Sequence, residues 1–211
     1  MRSGERRINC SIALGFSVVL LTTCGLQPNM RGLQNLSANY EQRLTDWTAA
    51  GQKYHSLDRV LFAYATFLSR PFRDAYVSQY RTLFSLDPTK RDDELEMIYR
   101  ANGEGYAFFV FVDAPHYSWN NIDEPNAVFR MVLKGDKVLT GVPPLRVVGF
   151  HTLGPNLKAF FPYINDFGRA FLVTFPTTRP DHSALIDPGS KLILAFASAY
   201  GTVTMSWRTS E

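Results

Sequence analysis

Two periodicities divide the chain. From Ala38 to about Arg100 apolar residues recur every three or four positions, and from Gly105 onward they recur every two. In the first half Tyr40, Leu44 and Trp47 are spaced for one helix face. Ser56 stands where a helix cap is expected, with Asp58 in the first turn and Leu57, Leu61, Tyr64, Ala65 and Leu68 sharing a face. Pro71 lacks an N–H and clashes with the preceding turn, so it is expected to interrupt or kink that helix. Phe72, Tyr76, Tyr80 and Leu83/Phe84 form a second stripe, and Asp87-Pro88 opens a short helix through Leu95 and Ile98 that Asn102-Gly103 ends. Aromatics at such spacing are first of all core, docking helices on a sheet; an exposed groove for a lipid or partner is the alternative. Arg70, Arg73 and Arg81 read as a solvated face with their stems on aromatics, against the alternative of an anionic headgroup site.

The second half reads as strands. Tyr106 to Val112 is a near-continuous apolar run, as in a central strand. In Val128–Lys134, Phe129, Met131 and Leu133 face one way and Arg130 and Lys134 the other. Leu145–Phe150, Arg169–Phe175, Lys191–Ser198 and Thr202–Arg208 complete the set, and Ala199-Tyr200-Gly201 suggests a tight hairpin between the last two. Six short strands with Pro, Gly and Asp punctuation argue an antiparallel β-sandwich, immunoglobulin-like or similar. The expected class is therefore α+β: a helical segment over residues 38–100 packed on a β domain over residues 101–211.

Composition narrows the class without naming a task. The chain has 211 residues, 45% of them hydrophobic, and two cysteines, which excludes wholesale disorder and a disulfide-dense miniprotein. The net charge of +3 is too small to imply nucleic acid.

The first residues carry the most specific signal. Arg2, Arg6 and Arg7 outweigh Glu5, and an apolar stretch runs from Ile12 to Leu21. That stretch is shorter than the twenty or so residues needed to span about 30 Å of hydrocarbon, and it has the length of a signal-peptide core. Leu21-Thr22-Thr23-Cys24-Gly25 follows. It resembles the lipobox of bacterial lipoproteins: an aliphatic residue, two small residues and an obligatory cysteine, with Thr23 a mild departure from the usual Gly, Ala or Ser. The resemblance implies that residues 1–23 are a leader, that cleavage falls between Thr23 and Cys24, and that the Cys24 thiol carries a diacylglyceryl group. Cys10 would leave with the leader, so the remaining chain has a single cysteine and no internal disulfide. Three Arg and one Glu leave too, lowering the charge from +3 to +1. Residues 24–37, with Pro, Gly, Asn and Gln, then form a tether. The expected partner is membrane lipid through acylated Cys24, with another envelope protein as a further partner. Within the resemblance Gly25, not Asp, implies the outer membrane, facing the periplasm. The helical start, the loop Trp119-Asn120-x-x-Asp123-x-Pro125 and the strands after it are together similar to uncharacterised bacterial lipoproteins, which imply no activity.

Signatures of catalysis are missing from the sequence: no G-x-S-x-G, H-E-x-x-H, P-loop, G-x-G-x-x-G or C-x-x-C. His55, His116, His151 and His182 have no ligand spacing, and no cofactor or metal is expected. Asp113 with His116, and Asp181 with His182, are carboxylate–imidazole neighbours of a kind common in loops. The best candidate for a binding loop is DAPHYSWNNIDEPN over residues 113–126, with Asp113, His116, Trp119, Asn121, Asp123 and Glu124 between two strands. Its oxygens suit a hard cation, but the spacing is not that of an EF-hand. The plainer expectation is that Trp119 plugs the end of the sheets while Asn and Asp shape turns. Phe160 to Phe167 is a second candidate, with four aromatics that either form an exposed patch or cover the sheet edge. The leading expectation is a non-catalytic envelope lipoprotein that binds or scaffolds. A small lipid- or metal-dependent enzyme or carrier using the 113–126 loop is the alternative.

Overall fold

A computed structural model describes residues 36–86, 98, 105–138, 140–187 and 189–208. Helix α1 (Ala38–Trp47) is capped by Ser37, whose hydroxyl accepts the Tyr40 N–H. Strands β1 (Thr48–His55) and β2 (Asp58–Phe67) follow, then α2 (Arg70–Phe84), β3 (Tyr106–Asp113), a 3₁₀ turn at Tyr117–Asn120, β4 (Arg130–Gly135), β5 (Arg146–Gly149), α3 (Pro155–Phe160), β6 (Arg169–Phe175), β7 (Lys191–Ser198) and β8 (Gly201–Arg208). The described residues thus hold eight strands and three helices. Every strand pair is antiparallel, in a five-stranded sheet of order β1-β2-β3-β6-β5 and a three-stranded sheet of order β4-β7-β8.

The six strands expected from period two are all present. The helix expected behind Ser56 is not: residues 48–67 are a hairpin, so the segment 38–100 is not helical throughout. The reason is burial on both faces of β2. Leu61, Ala63, Ala65 and Phe67 enter one core while Tyr64 enters the other, with Phe62 packed against it. A strand buried on both faces shows no clean alternation, and its apolar run also fits a helical stripe. Ser56 takes a positive φ of 56° in the two-residue turn that pairs His55 with Asp58, instead of capping a helix. Leu57, expected on a core face, is 97% exposed at that turn. Pro71 is a second correction. It lies in the first turn of α2, where a missing N–H costs nothing, behind the Ser69 cap, and so it begins a helix instead of interrupting one. The helix expected after Asp87-Pro88 lies outside the described residues apart from Ile98, which is fully buried. Thr23, Cys24 and the rest of the leader and tether also lie outside them.

Two cores result. Between the sheets, Phe108, Val110, Val112, Phe171, Val173 and Phe175 of the large sheet meet Met131, Leu133, Leu194, Phe196, Met205 and Trp207 of the small one. On the outer face of the large sheet, Ala107, Phe109, Phe111 and Leu172 meet Tyr40 and Leu44 of α1, Phe72, Tyr76 and Tyr80 of α2, and Leu157 and Phe160 of α3. Helix α2 therefore buries Phe72, Tyr76 and Tyr80 of the stripe expected of it, with Phe84 packed against the core and Leu83 exposed. Phe161 stacks on Phe109 with ring centroids 3.9 Å apart. The outer edges of the two sheets meet at β1 and β8, where a Cβ on Gly51 would collide with Val203, so only glycine fits.

Hydroxyl pairing holds the second core together. Thr48 and Thr66 hydroxyls are 2.7 Å apart, Thr66 and Tyr163 hydroxyls are 2.7 Å apart, and the Tyr40 hydroxyl donates to the Phe160 carbonyl at 2.9 Å. Burial, reinforced by neighbouring tyrosines, pushes the Tyr40 and Tyr163 phenols well above their usual value.

The packing makes two expectations measurable. Phe161→Ala should cost about 3–5 kcal/mol in chemical denaturation, whereas Leu57→Ala should stay within about 0.5 kcal/mol, as for any exposed position. The buried phenols set a pH dependence. Unfolded tyrosines ionise near pH ~10 while Tyr40 and Tyr163 stay protonated, so the folded state then binds more protons and loses stability as pH rises. Thermal melts should be flat from about neutral to about pH 10 and fall above it, less steeply in Tyr163→Phe.

Candidate functional site

Strand register brings four connections to one end of the molecule. In the large sheet His55 pairs with Asp58, Phe62 with Asp113, Val112 with Arg169 and Gly149 with Phe171. In the small sheet Ser198 pairs with Gly201 and Arg130 with Ala197. The β1–β2 turn, the 114–129 connection, the 150–168 connection and the β7–β8 turn are therefore neighbours. Ring contacts tie the two sheets there: Tyr200 lies 6.0 Å from His55 and 5.2 Å from Trp119.

The candidate loop at this end divides into three groups. Asp113, nearly buried at the end of β3, faces Arg59 Nη2 at 3.4 Å and accepts from Asn165 at 3.4 Å. Asn121 and Asp123 converge on Arg169: its Nη1 donates to Asn121 at 2.5 Å, and its two terminal nitrogens lie 3.3 and 3.4 Å from the Asp123 carboxylate. Asn121 in turn donates to Glu124 at 2.8 Å, and the Arg169 guanidinium sits 5.0 Å from the Phe171 ring. His116 is exposed and packs on half-buried Trp119 at 4.7 Å, while Trp119 touches Phe129 at 6.4 Å. Trp119 thus covers the end of the first core, as the plainer expectation has it.

Asn120, fully buried, is the latch of this loop. Its side-chain oxygen accepts the Ala114 N–H at 2.7 Å, and its amide donates to the Phe167 carbonyl at 3.3 Å. That bond joins the 114–129 connection to the 150–168 connection. Gly168 allows the approach, because a Cβ there would collide with the Val112 carbonyl and the Phe111 ring.

These contacts decide what the side chains can do. The carboxylates of Asp113 and Asp123 are each matched by an arginine, so they are hydrogen-bond acceptors already in use. The Asp113–His116 neighbours do not form a dyad, since the carboxylate turns to Arg59 and the imidazole to Trp119. Asp181 and His182 do not either. Asp181 accepts from the Ser183 hydroxyl at 2.6 Å and from its N–H at 3.0 Å, and these bonds hold its carboxyl below the usual range. Among the described residues no group of three His, Cys, Asp or Glu side chains is placed to hold a metal ion.

A cleft of about 430 Å³ opens beside the loop, lined by Tyr117, Phe150, His151, Leu153, Asp166 and Arg169. Its charged walls are also paired, Arg169 with Asp123 and Asp166 with Lys158. The second candidate segment splits. Phe160, Phe161 and Tyr163 are buried in the second core, and Phe167 is 76% exposed at the rim of the cleft. At the same end of the fold Tyr117 is 65% exposed, and Tyr54, Tyr200 and Leu57 are exposed too. Of the seven exposed large hydrophobic residues among the described ones, only Leu83 and Leu145 lie elsewhere. Leu57, Tyr54 and Tyr200 were not legible as site residues. The signal for the first two was the Ser–Leu–Asp turn between two runs of period two.

No family model, curated protein or solved structure matches the chain.

Removing the latch should loosen the loop without touching the cores. Asn120→Ala leaves the Ala114 N–H buried without its acceptor and should cost about 1–3 kcal/mol. Hydrogen exchange should show the loss of protection concentrated in residues 114–121 and 165–168.

Proposed function

We propose that this protein is a lipid-anchored component of the bacterial cell envelope, on the outer membrane facing the periplasm, that binds through its loop end and does not catalyse a reaction. The anchor rests on the sequence alone. A basic start, a short apolar core and Leu21-Thr22-Thr23-Cys24 form a leader over residues 1–23 and a cysteine for a diacylglyceryl thioether. Two or more acyl chains make such attachment stable. No helix among the described residues is long and apolar enough to cross a membrane.

One observation carries the binding role: the carboxylates of Asp113 and Asp123 at the loop end are engaged with arginines, while large apolar side chains at the same end are exposed. Arg59 and Arg169 hold Asp113 and Asp123, and Tyr117, Phe167 and Leu57 face outward. Catalysis by those carboxylates would need the reverse, an unpaired base beside a shielded pocket.

The fold is read as an open β-sandwich with a helical layer on one sheet. The strand order supports an immunoglobulin-like topology. Strands β2, β3, β6 and β5 run in the order A, B, E, D, strands β4, β7 and β8 in the order C, F, G, and β1 adds to the free side of the first. In that topology connections at one end of the sheets serve as a binding surface.

Radiolabelled palmitate and mass spectrometry of the membrane-fraction protein test the anchor. The expected result is a chain beginning at Cys24 with acyl mass on it, and a Cys24→Ala protein that keeps its leader and takes up no label. A mature polypeptide with a free Cys24 thiol would sink the reading.

A further inference from the structure

We infer that the loop end is a membrane-contact surface: the side chains of Leu57, Phe167, Tyr117, Tyr54 and Tyr200 enter the headgroup boundary of a bilayer and lay the domain end-on against it. This deepens the binding role proposed above by naming what is bound, and it rests on that reading for the membrane the protein meets.

Four features favour a lipid surface as occupant. The apolar side chains come from separate elements: Leu57, at the tip of a two-residue hairpin turn, is 97% exposed, Phe167 in the 150–168 connection is 76% exposed, and Tyr117 stands at the cleft with 65% exposure. A fluid interface accepts protruding groups that share no common pocket. The residue types suit the boundary: tyrosine offers an apolar ring and a polar tip, and aromatic side chains gather at the membrane–water interface. Leu57 argues against a sugar or nucleobase ligand, because an aliphatic chain offers no ring face for stacking. The third feature is electrostatic. Three charge pairs at this end are matched in place, Arg59 with Asp113, Arg169 with Asp123 and Lys158 with Asp166, so none of these six side chains offers a bare charge to an ionic partner.

Reach is the fourth. Eleven residues lie between Cys24 and Leu36, the first described residue. A chain of that length spans at most about 40 Å when extended, so a lipid on Cys24 holds the domain within about one domain diameter of the leaflet. At that distance the apolar tips meet the interface at high effective concentration, and each weak insertion is aided by the anchor.

Tryptophan fluorescence tests this on the whole mature protein, without relying on the anchor. Leu57→Trp, Phe167→Trp and, as a control on the exposed face of α2, Ser78→Trp are each mixed with vesicles of phosphatidylethanolamine and phosphatidylglycerol whose acyl chains carry bromine near the headgroup. The expected result is a blue shift and loss of the added emission for the Leu57 and Phe167 variants, with the Ser78 variant unchanged. The converse should hold for Leu57→Ser with Phe167→Ser: partitioning of the protein's unacylated form to the same vesicles drops on the order of tenfold. Emission from positions 57 and 167 as water-like and unquenched as that from position 78 would overturn the proposal and leave the loop end to a protein partner. Mass spectrometry of the same sample reports the anchor separately. A free thiol with quenched tips refutes only the anchor, and an acylated Cys24 with unquenched tips refutes only the contact surface.

Discussion

The fold is governed by the need to cover both faces of one strand. Strand β3 carries Phe108, Val110 and Val112 on one face and Ala107, Phe109 and Phe111 on the other, and every one of them is fully buried. No two-layer arrangement can hide such a strand. It must lie inside a sheet with something apolar on each side. The three-stranded sheet covers one face and the helices cover the other, so the molecule has a helix layer, a large sheet and a small sheet in succession. The aromatic stripes of α1 and α2, and the Phe160–Phe161 pair at the end of α3, complete that outer layer. Phe161 stacked on Phe109 at 3.9 Å is the tightest ring contact across it.

Antiparallel pairing then fixes where the loops go. Because each strand reverses, alternate connections gather at one end, and those between β1 and β2, β3 and β4, β5 and β6, and β7 and β8 do so together. The last of each pair's polar residues are spent on joining connections to one another: Asn120 to the Phe167 carbonyl, Asn165 to Asp113, Arg169 to Asn121 and Asp123. Such a network ties the connections together and pairs the charges it uses. The apolar tips above it are left in solvent because no element of this chain reaches over them among the described residues.

What could be read from sequence followed how one-sided each element is. Strands β4 and β8 bury one face, alternate cleanly and were located to within about two residues. Strand β2 buries both faces, and its Leu61, Tyr64, Ala65 and Leu68 fit a helical stripe as well as they fit a strand. Ser56 has the same ambiguity, since Ser favours helix caps and tight turns for one reason: a side-chain oxygen that bonds nearby backbone. Pro71 is welcome in a helix's first turn and damaging further in, so it became informative only once Ser69 was known to precede the first turn. The candidate loop was found because Asp, Asn, His and Trp cluster in fourteen consecutive residues. Its arginine partners were not found, because Arg59 and Arg169 lie more than forty positions away in the chain.

Local pattern was enough for the run of late strands and for the apolar stripes of α1 and α2, because each depends on neighbours within a few residues. Pairing order and burial on a second face depend on residues far apart, which no short window contains. So the apolar positions of Leu57 and Phe161 look alike in the chain. One ends in water and the other in a core, for the sole reason that the hairpin carries Leu57 past the last residue its neighbours can cover.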